Sequence, residues 1–106
     1  MIPQVQPQQV SARLAAGKAL TLLDVREAWE LAIASLPNVV HIPMGEIPGR
    51  WPELDATSPT VVICRSGQRS QQVARFLKAQ GFAQVENLAG GILAWGRELD
   101  PTLTAY

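Results

Sequence analysis

Short apolar runs alternate with amphipathic stretches along the whole chain, with no long repeat, low-complexity tract or linker. Val5 sits in a short run before Gln6-Pro7, and a proline suits the first turn of a helix. That helix is expected to bury Val10 and Leu14, an i,i+4 pair, and to stop at Gly17. Ala19 to Val25 is short and apolar and ends in a polar cluster, which predicts a buried strand. Arg26 to Ile33 places Trp29, Ala32 and Ile33 at helical spacing. Val39 to Ile42 is β-branched apart from His41, and Pro43 ends it. Met44 to Leu54 contains Pro48 and Pro52, which leaves room only for short or broken helical turns.

Pro59 introduces Thr60-Val61-Val62-Ile63-Cys64, the strongest strand in the sequence, and Ser66-Gly67 breaks it. Gln68 to Gln80 follows as a helix with Val73, Phe76 and Leu77 on one face. Gly81 fits the left-handed position after that helix, with Phe82 able to fold back on Leu77. Gln84 to Asn87 reads as a last short strand. Gly90-Gly91 opens a final helix carrying Ile92 and Trp95, and the tail runs through Asp100-Pro101 to Tyr106. Strands alternating with helices at this spacing predict an α/β fold, a parallel sheet covered on both faces. Ligands of such sheets bind beyond the carboxyl ends of the strands, near the point where strand order reverses. Cys64 and Asp24 each lie at the end of a predicted strand.

The length of 106 residues fits one domain, residues 1–106, able to bury its own core. Nine basic residues balance nine acidic ones, so no global basic field points to nucleic acid. No apolar run approaches the roughly 20 residues that span a bilayer. The opening MIPQVQPQQV has neither the basic nor the apolar region of a secretory signal, so a cytoplasmic location is expected. One cysteine excludes an internal disulfide. One cysteine and one histidine, Cys64 and His41, cannot form a Cys/His metal site within one chain. Chemistry in this chain therefore centres on one side chain with backbone support.

The stretch Cys64-Arg65-Ser66-Gly67-Gln68-Arg69-Ser70 can supply that support. A strand delivers the sulfur, a glycine lets the backbone curl, and a helix begins at once. Free N–H groups of the loop and first turn then point toward the sulfur and favour negative charge there. Arg65 and Arg69 add two guanidiniums, with no acid inside the loop. Each influence favours the nucleophilic thiolate and would cradle an anionic group carried on the sulfur. A lone cysteine closing an apolar strand is otherwise core filler, and its setting between arginines and before a Ser-Gly break outweighs that reading.

At these residues the chain resembles a single-domain rhodanese, a sulfurtransferase domain. The resemblance covers nearly the whole chain. It rests on LLDVRE at Leu22–Glu27, His41-Ile42-Pro43, CRSGQRS after Val61-Val62-Ile63, and NLAGGI at Asn87–Ile92 with Trp95 downstream. The tail GRELDPTLTAY also resembles rhodanese domains appended to adenylyltransferases of cofactor biosynthesis.

The resemblance implies a five-stranded parallel sheet with helices on both faces. It also implies a two-step transfer with no cofactor and no metal. Cys64 as thiolate would take the outer sulfur of a small donor, thiosulfate or a persulfide. The Cys64 persulfide would then pass it to cyanide, a thiol or a protein acceptor, including a partner in a sulfur relay. Arg65, Ser66, Gly67, Gln68, Arg69 and Ser70 would form the binding loop. Asp24 and Arg26 match the family's Asp-x-Arg and would help to hold that loop by charge-assisted bonds. The alternative for that pair is an exposed strand-end ion pair.

The sequence departs from the family pattern in three places. Ser35 stands where many members have a histidine, and His41 is read as a structural strand residue with a satisfied ring. Ser66 and Glu30 stand where the two-domain thiosulfate enzymes have cations, which puts thiosulfate as the donor in question. A cysteine phosphatase or arsenate reductase would space its loop Cys-x5-Arg, one residue longer than Cys64-x4-Arg69. A non-catalytic interaction module is the remaining rival. It could use Trp29, Trp51 and Trp95 as a surface, although their helical spacing favours core positions.

Overall fold

The computed structural model describes residues 1–103. Residues 104–106, the end of the tail that runs to Tyr106, lie outside the described residues. In chain order the elements are β1 (Gln4–Val5), α1 (Pro7–Ala15), β2 (Thr21–Asp24), α2 (Ala28–Ile33) and β3 (Val40–His41). They continue with α3 (Ile47–Arg50), β4 (Thr60–Ile63), α4 (Gln68–Ala79), β5 (Val85–Leu88) and α5 (Gly91–Glu98). Short 3-10 turns at Met44–Glu46 and Trp51–Glu53 flank α3. The expected broken helical stretch between Met44 and Leu54 is thus present, with Pro48 and Pro52 in the opening positions of their turns. The terminal residues of the expected strands, Ala19-Leu20, Val39 and Ile42 among them, fall outside the ladder. No helix among the described residues is long and apolar enough to cross a membrane.

All five strands are parallel, in the order β1-β5-β4-β2-β3. From β2 the chain steps outward to β3, and from β4 it steps the opposite way to β5. Strand order therefore reverses between β2 and β4, and the crevice beyond their carboxyl ends is where such sheets hold ligands. Asp24 pairs with Ile63 in register, so the end of β2 lies beside the residue that precedes Cys64.

Strand β4 is buried at every position, as a central parallel strand must be. Side chains alternate across it. Val62 and Cys64 join Leu23, Val25, Ile47, Val73 and Leu77 on one face. Val61 and Ile63 join Leu22, Val10, Leu88 and Ile92 on the other. Helices α3 and α4 cover the first face, and α1 and α5 the second. Trp51 packs on the first core, edge-to-face with Phe82 at 6.4 Å between ring centres. Trp95 packs on the second core.

Helix α4 ends as the sequence predicts. Gly81 has φ +102°, its N–H donates to Lys78 O at 3.1 Å, and the Phe82 N–H donates to Leu77 O at 3.1 Å. These two bonds satisfy carbonyls that the last helical turn leaves unpaired, and Phe82 folds into the core beside Leu77.

Two expectations about helix faces are corrected. Leu14 is 41% exposed. The inward stripe of α1 runs Pro7, Val10 and then Arg13, which reaches across to Glu86 of β5. Trp29 and Ile33 are exposed as well, at 55% and 45%. Helix α2 has six residues and turns Glu30 inward, because two basic groups and a helix cap draw on that carboxylate.

A methyl group built on Gly81 meets nothing within 4 Å, so Gly81→Ala is charged only for its left-handed backbone. Urea unfolding of this variant is expected to show a loss of about 1 kcal/mol, with function at the far end of the sheet unchanged.

Candidate active site

Strand β4 delivers Cys64 to the crevice at the strand-order reversal, and the residue is only 1% exposed. Its thiol is free. The Gly67 N–H donates to Cys64 Sγ at 3.0 Å, which is the backbone support expected of the loop. Ser70, on the first turn of α4, places its hydroxyl oxygen 3.2 Å from the same sulfur. Ser70 is fully buried, Arg65, Gly67 and Arg69 are half-buried, and Ser66 and Gln68 are exposed.

The loop's curl is fixed from the opposite side by α5. The Ile92 N–H donates to Cys64 O at 2.9 Å, and the Leu93 N–H to Arg65 O at 3.2 Å. Both donors belong to the first turn of α5, where amides lack intrahelical partners. The approach is close enough to require glycine. A Cβ on Gly91 would sit 2.4 Å from Arg65 O and 2.5 Å from Cys64 O, and its φ is +61°. The Gly-Gly of the sequence is thus a contact surface for the loop.

Arg69 does not point an uncommitted guanidinium at the sulfur. It donates to both oxygens of Glu30, each at 2.8 Å, in the paired geometry that arginine makes with carboxylates. Glu30 is buried and also accepts from the Glu27 N–H at 2.7 Å, closing the N-terminus of α2. Its bonds from Arg69, joined by that N–H, hold its carboxyl below the ordinary value against the opposing effect of burial. Glu30 in turn raises Arg69, to which Cys64 contributes a smaller electrostatic effect.

Asp24 and Arg26 form a buried pair, so the exposed strand-end alternative is excluded. Arg26 donates from Nε to both Asp24 oxygens, at 3.0 and 3.1 Å, and from its terminal nitrogen at 2.8 Å. The same nitrogen donates to Ala34 O at 2.8 Å. The pair therefore fixes α2 against the end of β2, and α2 carries the Glu30 that holds Arg69. His41 donates from Nε2 to the Arg26 carbonyl at 2.7 Å, which settles where its ring proton lies.

Two site residues were not singled out from the sequence for these roles. In the sequence Glu30 marks only the absence of a cation. Asn87, buried in β5, accepts from Ser70 Oγ at 2.5 Å and donates to Gly67 O at 3.0 Å and to Gln4 Oε1 at 2.9 Å. The available signal was an amide amid the apolar residues of a short buried strand, which must find partners. An open groove, lined in part by Gly67, Gln68, Gln71, Arg75 and Asn87, adjoins the loop.

Comparison with known proteins agrees with this geometry. The family described as "Rhodanese-like domain" matches residues 6–98. YtwF of Bacillus subtilis is 41% identical over 94% of this chain and 96% of its own length. A sulfurtransferase of Allochromatium vinosum is 38% identical over 92% of this chain and 91% of its own length. The crystal structure of a rhodanese-related protein from Thermoplasma volcanium superposes with a TM-score of 0.85 at 30% identity, covering 98% of this chain and 99% of that one.

The geometry makes two predictions. Gly91→Ala meets both strain and two carbonyl oxygens, so it should cost roughly 2–4 kcal/mol in urea unfolding. A cost no larger than that of Gly81→Ala would show that the α5 contact is not tight. Glu30 is depressed in the folded chain, so its contribution to stability is complete above its ordinary value of 4.5 and is lost as pH falls below it. Glu30→Gln should therefore lower stability near neutrality by about 1–2 kcal/mol and flatten the acid limb of the stability curve.

Proposed function

Because the chain belongs to the rhodanese-like domain family, we propose that it moves sulfur through a persulfide on Cys64. The observation that carries this reading is the Gly67 N–H donating to the sulfur of the chain's one thiol, at the carboxyl end of a central strand. In the first step the Cys64 thiolate attacks the outer sulfur of a donor R–S–SH. The new S–S bond forms as the donor's S–S bond breaks, and RS⁻ leaves. In the second step an acceptor thiolate or cyanide attacks the outer sulfur, and the electron pair of the breaking bond returns to Cys64.

Neither step requires the protein to accept a proton at the sulfur, which suits a chain whose single histidine is bonded to a carbonyl. The groups from Arg65 to Ser70 are assigned to the binding loop, with Gly67 and Ser70 against the sulfur. Asp24 and Arg26 support it through α2. The groove beside Gly67 and Gln68 is the approach for donor and acceptor, a small thiol or a protein in a sulfur relay.

A persulfide suits this site better than thiosulfate. The sulfonate of thiosulfate wants a cation, and Arg69 already spends two donors on Glu30. The deep position of Cys64 also favours a donor whose sulfur ends a narrow stem.

Intact-mass measurement tests the reading. Incubation with a small-molecule persulfide, or with a cysteine desulfurase and cysteine, should add one sulfur atom to the chain. The sulfur should be released by cyanide or dithiothreitol and be absent in Cys64→Ala. Thiosulfate should load the protein more slowly than the persulfide. No adduct from any of the three donors would sink the proposal, as would hydrolysis of an aryl phosphate in place of sulfur transfer.

A further inference from the structure

Two acceptors compete for one hydrogen beside the thiol. The Ser70 hydroxyl oxygen lies 3.2 Å from Cys64 Sγ and 2.5 Å from Asn87 Oδ1. A serine carries a single O–H, so it can donate to only one of them at a time. The orientation of Asn87 is not adjustable. Both of its N–H bonds are committed, one to Gly67 O and one to Gln4 Oε1. Turning the amide over would set its oxygen against the Gly67 carbonyl. Gln4 is fixed in the same way, by donation from its Nε2 to Ile2 O. The side chain of Asn87 thus presents an acceptor, and only an acceptor, to Ser70.

The two protonation states of Cys64 make different demands on that hydrogen. With a neutral thiol every group is satisfied: S–H donates to Ser70 Oγ, and Ser70 donates to Asn87. With a thiolate the sulfur can only accept. Ser70 then either turns its hydrogen to the sulfur and leaves Asn87 Oδ1 without it, or keeps Asn87 and points a lone pair at a negative charge. Ser70 is 0% and Asn87 3% exposed, so bulk water does not relieve the conflict.

We propose that Asn87 is a positioning residue that sets the ionisation of Cys64 by competing with the sulfur for the Ser70 hydrogen. Ionisation sends the thiol proton to solvent. The serine hydrogen stays on its own oxygen and only rotates from Asn87 to the sulfur. Asn87 also holds the Gly67 carbonyl, so one amide governs both groups that contact the sulfur. The thiol concerned is that of the proposed sulfur transfer, but the switch itself needs no sulfur donor.

The charges around Cys64 are Arg65 next to it in the loop and Arg69 on α4, with Glu30 of α2 bound to Arg69. Behind them stand Asp24 and Arg26 at the end of β2. All five are kept in every variant of the test, so differences between variants report the hydroxyl and its acceptor.

Thiolate absorbance is titrated against pH, with the spectrum of Cys64→Ala subtracted at each point. Ser70→Ala removes the donor and should move the midpoint up by roughly one pH unit. Asn87→Ala in the Ser70 protein should move it down relative to the same substitution in the Ser70→Ala protein, because only a protein with the hydroxyl gains a donor. The Ser70→Ala background isolates any loosening caused by losing the Gly67 contact. Asn87→Leu, near in size and without an acceptor, replaces Asn87→Ala if that variant does not fold. A difference of about half a pH unit or more in this direction supports the switch. An Asn87 effect of equal size in both backgrounds, or one of opposite sign, overturns it. Failure to load sulfur in the mass experiment leaves this titration readable, and the reverse also holds.

Discussion

The capture of two carbonyls by the first turn of α5 is the constraint on which the site depends. In a trans peptide the N–H points opposite to the C=O. Once Cys64 O and Arg65 O are bonded to Ile92 and Leu93, the next two amides must turn away from α5. The Cys64 sulfur lies on that other side of the sheet, with α4 across from it, and the N–H that reaches it is that of Gly67. The loop therefore does not need to be stiff in its own right. Two hydrogen bonds and a pair of glycines give it a shape that a free heptapeptide would lose to backbone entropy.

A second layer holds the helices that hold the loop. Asp24 and Arg26 are buried ions with dense hydrogen bonding, and removing one partner of such a pair costs about 3–5 kcal/mol because the other charge is stranded. That pair places α2 through the Ala34 carbonyl. Helix α2 then offers Glu30 to Arg69, tying the start of α4 to the end of β2. Two of the cations near the thiol, Arg26 and Arg69, are thus partly structural, each paired with a buried carboxylate.

Features set by near neighbours were legible in the sequence. The stop of α4 at Gly81 and Phe82, the proline start of α1, and the strand-loop-helix around Cys64 each depend on residues within one or two turns. Features set by distant partners were not. Helical spacing placed Trp29 and Ile33 together but could not say that Glu30, between them, would be drawn inward by Arg69, 39 residues later. Leu14 lost its place to Arg13 for the same kind of reason, an acid on β5 far along the chain. Asn87 was visible as part of a motif, yet its role rests on three partners from two other segments, the cysteine loop and β1. Family resemblance supplied the strand number, which periodicity alone left open.

The two outermost strands, β1 and β3, have two residues each, while the three inner strands have four. A sheet margin that short offers little backbone on which a second molecule could extend the ladder. The chain carries no net charge to keep copies apart by repulsion. Its protection against stacking edge to edge is therefore geometric: the long, adhesive strands sit inside, and the rims are stubs.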